Sequence, residues 1–197
     1  AALLRQANPD WSPFAIKSAL MTSATQNVKL ADGTPDLNRW GFGSGHLNPN
    51  GALATKVVYD SDFVEYIRYY NGAISGRALN LPSLTFANIV GSGTLTRKLT
   101  NHGTTTETFT GSASAPGSSV SLSPASLTLA PGETKSFSVR LARNGSPIGA
   151  YAFGEVVWAS ASGQSLRSPL TAKAESLVAL SSVTDTRVRA HTNSPSL

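Results

Sequence analysis

The second half of the chain consists of short segments in which apolar and polar residues alternate, and this pattern constrains the fold more than any other feature. Phe137, Val139 and Leu141, for example, alternate with serine and arginine. Clusters of Gly, Asn, Ser and Pro separate such segments at intervals of roughly 8–12 residues. Because a sandwich of two sheets is built from strands of this length and spacing, we predict an antiparallel β-sandwich of roughly seven strands between Leu84 and Ala172.

The first part of the chain carries helical signals instead. Ser12 precedes Pro13, and a serine cap followed by proline at the first helical position is a strong start signal. Ile16, Leu20 and Ala24 then recur four residues apart. This spacing places them on one face, so we predict a core-facing helix from about Pro13 to Ala24.

Two further helices are predicted before the sandwich. Asn48 and Pro49 can cap a short helix over residues 52–54, by the same logic as Ser12 and Pro13. The second helix covers residues 63–70, where aromatic and apolar side chains recur at intervals of three and four, and Asn71-Gly72 ends it.

Composition excludes several kinds of site. The chain has no cysteine, which rules out disulfides, thiolate catalysis and Cys-based zinc sites. Its three histidines, His46, His102 and His191, lie far apart and match no metal-ligand spacing. We therefore predict that the chain binds no metal and no cofactor.

Charge and hydropathy exclude two classes of partner. The formal net charge is +5, but the basic residues are dispersed, and Arg97-Lys98 is the densest pair. Without a basic stripe interleaved with aromatic residues, nucleic-acid binding is not predicted. No run of about 18 apolar residues occurs, so we predict no membrane-spanning helix.

Several motifs resemble one protein family. The order NPDWSP, then IKSALMTSA, within residues 8–24, and GSGHLNP at 43–49, resemble subtilisin-like serine peptidases, and are most similar to the cucumisin-like branch and its bacterial relatives. LTRKLTNHG at 95–103 and YAFG at 151–154 resemble strands of that family's fibronectin type III-like domain. The resemblance extends from Ala1 to about Lys173, and the order and spacing of its motifs make it specific.

The resemblance implies an α+β fragment with a defined organisation. Residues 1–80 would be the C-terminal remnant of the subtilisin-like peptidase domain, a family domain of α/β architecture. Residues 81–174 would form the fibronectin type III-like sandwich, and residues 175–197 a flexible tail. The intact parent would be a secreted endopeptidase that cleaves protein or peptide substrates.

The same resemblance implies that the catalytic residues are absent. In the family, the aspartate, histidine and serine of the triad occur in that order, and all three would precede Ala1. The Gly-Thr-Ser motif around the nucleophile is missing, and no residue corresponds to the oxyanion-hole asparagine. We therefore assign no catalytic residue and expect this chain alone to be inactive.

A triad assembled within the chain itself is also not predicted. Ser44 and Ser92 are each flanked by glycines but lack the full Gly-x-Ser-x-Gly pattern of a nucleophile elbow. His46 is too near Ser44 in sequence to pair with it, His102 is expected to be exposed in a turn, and His191 is expected to be solvated in the tail. We expect no hydroxyl, imidazole and carboxylate to converge.

Two non-catalytic roles remain open. The first is structural support of the peptidase domain, with the rest of that domain as the partner. The alternative is a binding module for a glycan or protein partner, which would use an exposed aromatic row. Tyr151, Phe153 and Trp158 are the candidates for that row, although their alternation with small residues is more typical of a core.

The first 80 residues pose a packing problem. Their helices would bury apolar faces against a parallel sheet that this chain does not contain. We therefore expect this region to be poorly packed unless another chain supplies the sheet. The side chains expected to lose partners are Trp11, Ile16, Leu20, Met21 and Trp40.

Overall fold

A computed structural model describes residues 1–177 of the chain. The strands predicted in the second half form two sheets packed face to face, preceded by a smaller helical part. The helices are α1 (Ala2–Ala7), α2 (Pro13–Thr22), α3 (Arg39–Phe42), α4 (Pro49–Ala54) and α5 (Phe63–Tyr70), with one 3₁₀ turn (Gly76–Ala78). The strands are β1 (Val57–Val58), β2 (Leu84–Ile89), β3 (Ser92–Asn101), β4 (Glu107–Ser114), β5 (Ser118–Ser123), β6 (Ser126–Leu129), β7 (Thr134–Arg143), β8 (Tyr151–Ser160) and β9 (Ser165–Ala174).

The two sheets have strand orders β1-β3-β7-β5 and β2-β9-β8-β4-β6. Every pair is antiparallel except β2 with β9, which run parallel. The prediction of a purely antiparallel sandwich is therefore wrong at one edge. Strand β2 follows the helical part in the chain, and among the described residues it pairs in the sheet with β9 alone.

The sandwich core follows from the alternation of the strands. Phe137 on β7 and Trp158 on β8 are buried between the sheets, with ring centroids 4.9 Å apart. Arg97 on β3 is an exception, since it is buried on the same face of the strand as Leu95 and Leu99. Its guanidinium donates to four backbone carbonyl oxygens, which compensates for the loss of water. Burial lowers the pKa of Arg97.

The helical part packs against the sandwich and has a small core of its own. Helix α2 contacts β1, α4 and β9. Strand β1 joins the two cores because its side chains alternate: Val57 faces the sandwich and Val58 faces the helices. The residues buried in the helical core are Leu4, Trp11, Ala15, Ile16, Ala19, Ala52 and Val58.

This packing corrects part of the expectation for the first 80 residues. Trp11 and Ile16 are buried, and Leu20 and Met21 are half-buried, because strands β1 and β9 of the sandwich pack against α2. Only Trp40, with 62% of its surface exposed, remains largely uncovered as expected.

The predicted helices are confirmed with small shifts. Helix α2 ends at Thr22, two residues earlier than predicted, and Ser12 caps it through the backbone N–H of Ala15. Asn48 caps α4 in the same way. None of the helices within residues 1–177 combines the length and hydropathy needed to cross a bilayer. The predicted tail lies, beyond Leu177, outside the described residues.

Candidate functional site

Three polar side chains from separate segments converge where the helical part meets the sandwich. The carboxylate of Asp60, just after β1, accepts a hydrogen bond from the Ser12 hydroxyl through Oδ1. Its Oδ2 lies 2.9 Å from Nε2 of His102, which follows β3. The carboxylate thus links the start of α2 to the end of a sandwich strand.

The surroundings of this cluster are part apolar and part charged. The His102 ring lies 5.4 Å from the Trp11 ring, and only a quarter of the imidazole side chain is exposed. Lys56 supplies the charge. Its Nζ lies 5.8 Å from the centroid of the Trp11 ring, and its backbone carbonyl accepts a hydrogen bond from the N–H of His102. The sequence prediction that His102 is exposed is wrong, because the imidazole pairs with Asp60 and packs against the Trp11 ring.

Hydrogen bonding keeps Asp60 ionised. Partial burial by itself raises the pKa of this carboxyl, but hydrogen bonds from His102 and Ser12 favour the charged form. The charge of His102 acts in the same direction, and the pKa of Asp60 is lowered overall. A carboxylate held in this state is a good hydrogen-bond acceptor and a weak proton acceptor.

A hydroxyl, an imidazole and a carboxylate therefore do converge, contrary to expectation, but in an order unlike that of a serine triad. In a triad the imidazole lies between the hydroxyl and the carboxylate and removes the hydroxyl proton. Here Asp60 lies in the middle, and the Ser12 hydroxyl donates its hydrogen bond to Asp60 and not to His102. The Ser12 oxygen also accepts the N–H of Ala15 as a helix cap. The arrangement is suited to joining segments and does not provide an activated nucleophile.

The other candidate residues are not brought together. Ser44 lies in the turn before His46, whose backbone forms an isolated bridge with Thr25 while its side chain is exposed. Ser92 opens β3 and accepts a hydrogen bond from Arg140 at 3.2 Å. His191 lies outside the described residues.

The proposed aromatic row is not a row. Trp158 is fully buried, Phe153 is half-buried and Tyr151 is 52% exposed. Trp40 from the helical part packs edge-on against Tyr151 and Phe153, each at a centroid distance of 5.0 Å. The rings of Trp40, Tyr151 and Phe153 form a compact cluster between the helical part and the sandwich, and the three candidate residues do not form a flat strip along the described sheet.

Comparison with known proteins gives the context of this junction. Residues 78–172 match the family model described as a fibronectin type-III domain. Subtilisin-like protease SBT2.5 of Arabidopsis thaliana is 33% identical over 87% of this chain and 25% of its own length. Subtilisin-like protease SBT5.4 of the same plant is 34% identical over 88% of this chain and 26% of its own length. The chain is a homologue of the subtilisin-like proteases.

This subtilisin-like protease homologue spans only about a quarter of the length of the curated relatives that it matches. The sequence match nevertheless covers both the helical part and the sandwich. Among solved structures, a family 123 glycoside hydrolase from Clostridium perfringens superposes with a TM-score of 0.43 at 11% identity, covering 63% of this chain and 28% of the other. That likeness is too weak to inform on function.

The sequence of this subtilisin-like protease homologue did not predict that Ser12 and Asp60 belong to one cluster. Ser12 was predicted only as a helix cap, which it is. Asp60 follows the apolar run of β1, and an acidic residue directly after a buried strand is a weak signal for a polar link. The pairing itself depends on contacts across 48 and 42 residues, which no local pattern encodes.

Proposed function

We propose that this chain forms part of a secreted subtilisin-like serine endopeptidase, in which it supports the peptidase domain and contributes no catalytic residue. By itself it would have no peptidase activity. The observation that carries the proposal is an apolar hollow on the helical part, on the face formed by α1, α2 and α4. It has a volume of about 170 Å³ and is lined by Ala1, Leu3, Leu4, Leu20, Leu47, Pro49, Ala52 and Leu53.

Several side chains around this hollow have large exposed fractions. Leu3 is 76% exposed, Leu47 53% and Leu53 40%. A cluster of exposed apolar side chains around a hollow marks a surface that another part of a protein covers. The rest of the peptidase domain is the partner expected there, because the homologues are proteases about four times the length of the match.

The cluster of Ser12, Asp60 and His102, where the helical part meets the sandwich, supports the same role. Asp60 links Ser12, the cap of α2, to His102 at the end of a sandwich strand. The sandwich therefore positions α2, whose Leu20 lines the hollow. Burial of α2 against β1 and β9 adds to this support. The sandwich would thus stabilise the edge of the peptidase domain from outside the active site.

The alternative role, a module that binds a glycan or protein through an aromatic row, has less support. Trp158 is unavailable because it is fully buried, and Trp40 covers part of the remaining pair.

A chimera tests the supporting role. The segment of Subtilisin-like protease SBT2.5 that matches this chain would be replaced by the chain, with and without Leu3→Asp. We expect the parent chimera to hydrolyse casein and Leu3→Asp to lower its half-life at elevated temperature several-fold, because a buried charge destabilises the interface.

Leu37→Asp is the matched control, since Leu37 is 84% exposed and lies outside the hollow. It should leave the half-life of the chimera unchanged. Equal effects of the two substitutions would contradict the proposed interface.

A further inference from the structure

A cleft of about 280 Å³ lies between the helical part and the outer face of the five-stranded sheet. Its roof is formed by Met21 at the end of α2 and by Trp40 and Ser44 from the segment after it. Phe153 on β8 and Thr171 on β9, paired across the sheet, form part of the floor. A volume of this size is near the lower end for small-molecule sites and accommodates about one amino-acid residue.

The walls of the cleft combine apolar surface with positive charge. Met21, Trp40 and Phe153 supply apolar surface. Among residues 1–177, the charged residues that line the cleft are Arg39 and Arg167, and no acidic residue lines it. A ligand that complements both features has an apolar body and a negative charge.

Arg167 provides the clearest indication of where that charge would sit. Its Nε donates to Glu155 at 2.5 Å, but its Nη1 is buried and has no hydrogen-bond partner within residues 1–177. A buried donor without an acceptor costs free energy, and a ligand acceptor would remove that cost. The planar guanidinium fork matches a carboxylate in geometry and charge.

We propose that this cleft binds an apolar residue with a free carboxylate, the chemistry of the C-terminal end of a peptide. The carboxylate pairs with Arg167, assisted by the charge of Arg39. The apolar side chain lies among Met21, Trp40 and Phe153. A free amino acid shares this chemistry but also carries an ammonium group, which two neighbouring arginines disfavour.

Titration of the full chain with N-acetyl-L-leucine tests the proposal, with N-acetyl-L-leucinamide as the neutral analogue. Trp40 reports binding through a change in its fluorescence, because it lines the cleft, whereas Trp11 and Trp158 are buried away from it and contribute a constant background. We expect the acid to bind with a Kd of about 1 mM, as suits so small a ligand, and the amide to bind at least tenfold more weakly. L-Leucine should bind less well than the acetylated acid.

Two variants locate the carboxylate. Arg167→Gln should abolish the difference between the acid and the amide, while Arg140→Gln, which changes an exposed arginine in the other sheet, should not. Glu155→Gln removes the carboxylate that competes for Arg167 and should tighten binding of the acid several-fold. This second variant keeps the test decisive should Arg167→Gln fail to fold.

Equal binding of the acid and the amide would overturn the proposal, as would failure of the acid to bind at concentrations well above the expected Kd. Stronger binding of L-leucine than of the acetylated acid would overturn the assignment to a peptide end. Equal effects of Arg167→Gln and Arg140→Gln, or weaker binding by Glu155→Gln, would show that the carboxylate does not sit at Arg167.

Discussion

Asp60 is the residue that links the helical part to the sandwich in the cluster of Ser12, Asp60 and His102. Its two carboxylate oxygens accept hydrogen bonds from segments 48 and 42 residues away in sequence. Since the hydrogen bonds favour the ionised form, the pKa of Asp60 is lower in the folded chain than the ordinary value of 3.8. Protonation therefore opposes folding at this position.

Replacing Asp60 with asparagine should expose this dependence on pH. A carboxyl with a lowered folded-state pKa stabilises the fold fully above its ordinary pKa, and the contribution is lost as the pH falls through the folded-state pKa. At pH 7 we expect Asp60→Asn to lower the free energy of unfolding by about 1–2 kcal/mol. The difference from the wild type should shrink as the pH falls below 4, measured by urea denaturation across a pH series.

Asp10→Asn is the control for this series, because Asp10 is an exposed carboxylate in the turn before α2. It should change stability little at any pH. A difference between Asp60→Asn and the wild type that stays constant from pH 7 to pH 3 would contradict the assignment.

Helices α2 and α5 both begin with a side-chain cap, but they differ in how many of their residues are buried. Helix α2 is capped by Ser12 and buries five of its residues, namely Ala15, Ile16, Ser18, Ala19 and Thr22. Helix α5 is capped by Asp62 at 2.6 Å from the N–H of Glu65, yet it buries none of its residues. We therefore expect the cap to affect global stability in α2 and to have only a local effect in α5.

Substitution of the two caps should separate these cases. Ser12→Ala removes both the cap of α2 and the link to Asp60, and we expect it to lower the free energy of unfolding by about 1–2 kcal/mol. Asp62→Ala should fray the start of α5 and leave global unfolding nearly unchanged. Urea denaturation gives the global effect, and hydrogen exchange of the amides in α2 and α5 gives the local one. Equal global losses would show that α5 is more tightly coupled to the fold than its exposure indicates.

The helices and strands show how much of this structure the sequence predicts. Local signals were sufficient for α2, α4, α5 and most strands: Ser12-Pro13 marks the start of α2, and alternation marks buried Phe137 and Trp158. They did not predict that β2 runs parallel to β9, because strand direction at a sheet edge depends on the path of the whole chain. Nor did they predict the contact of Trp40 with β8, which joins residues more than 100 positions apart.

The cluster of Ser12, Asp60 and His102 was only partly predicted from the sequence, for a similar reason. The cap at Ser12 is local and was identified, whereas its hydrogen bond to Asp60 and the pairing of Asp60 with His102 arise only after the sandwich has folded against the helices. His102 was expected in an exposed turn because the turn signal is local and the partner is not.

For the molecule as a whole, the proposed function separates support of the peptidase domain from catalysis. The sandwich and α2 share buried surface through β1 and β9, while the apolar hollow beside α1 and α4 faces outward. The hydroxyl, carboxylate and imidazole at the junction hold these parts together. Within residues 1–177, the Ser12 hydroxyl donates to Asp60 and not to the imidazole of His102, and we propose that the described chain is a scaffold without an assembled nucleophile.

Treatment of the purified full chain with a fluorophosphonate probe, alongside a casein hydrolysis assay, tests this separation most directly. An activated serine reacts with such a probe, whereas a hydroxyl engaged as a helix cap does not. We predict neither labelling nor turnover, with the wild type indistinguishable from Ser12→Ala. Labelling of Ser12 that disappears in His102→Ala, or casein turnover that disappears in Ser12→Ala, would show that this chain carries a catalytic serine.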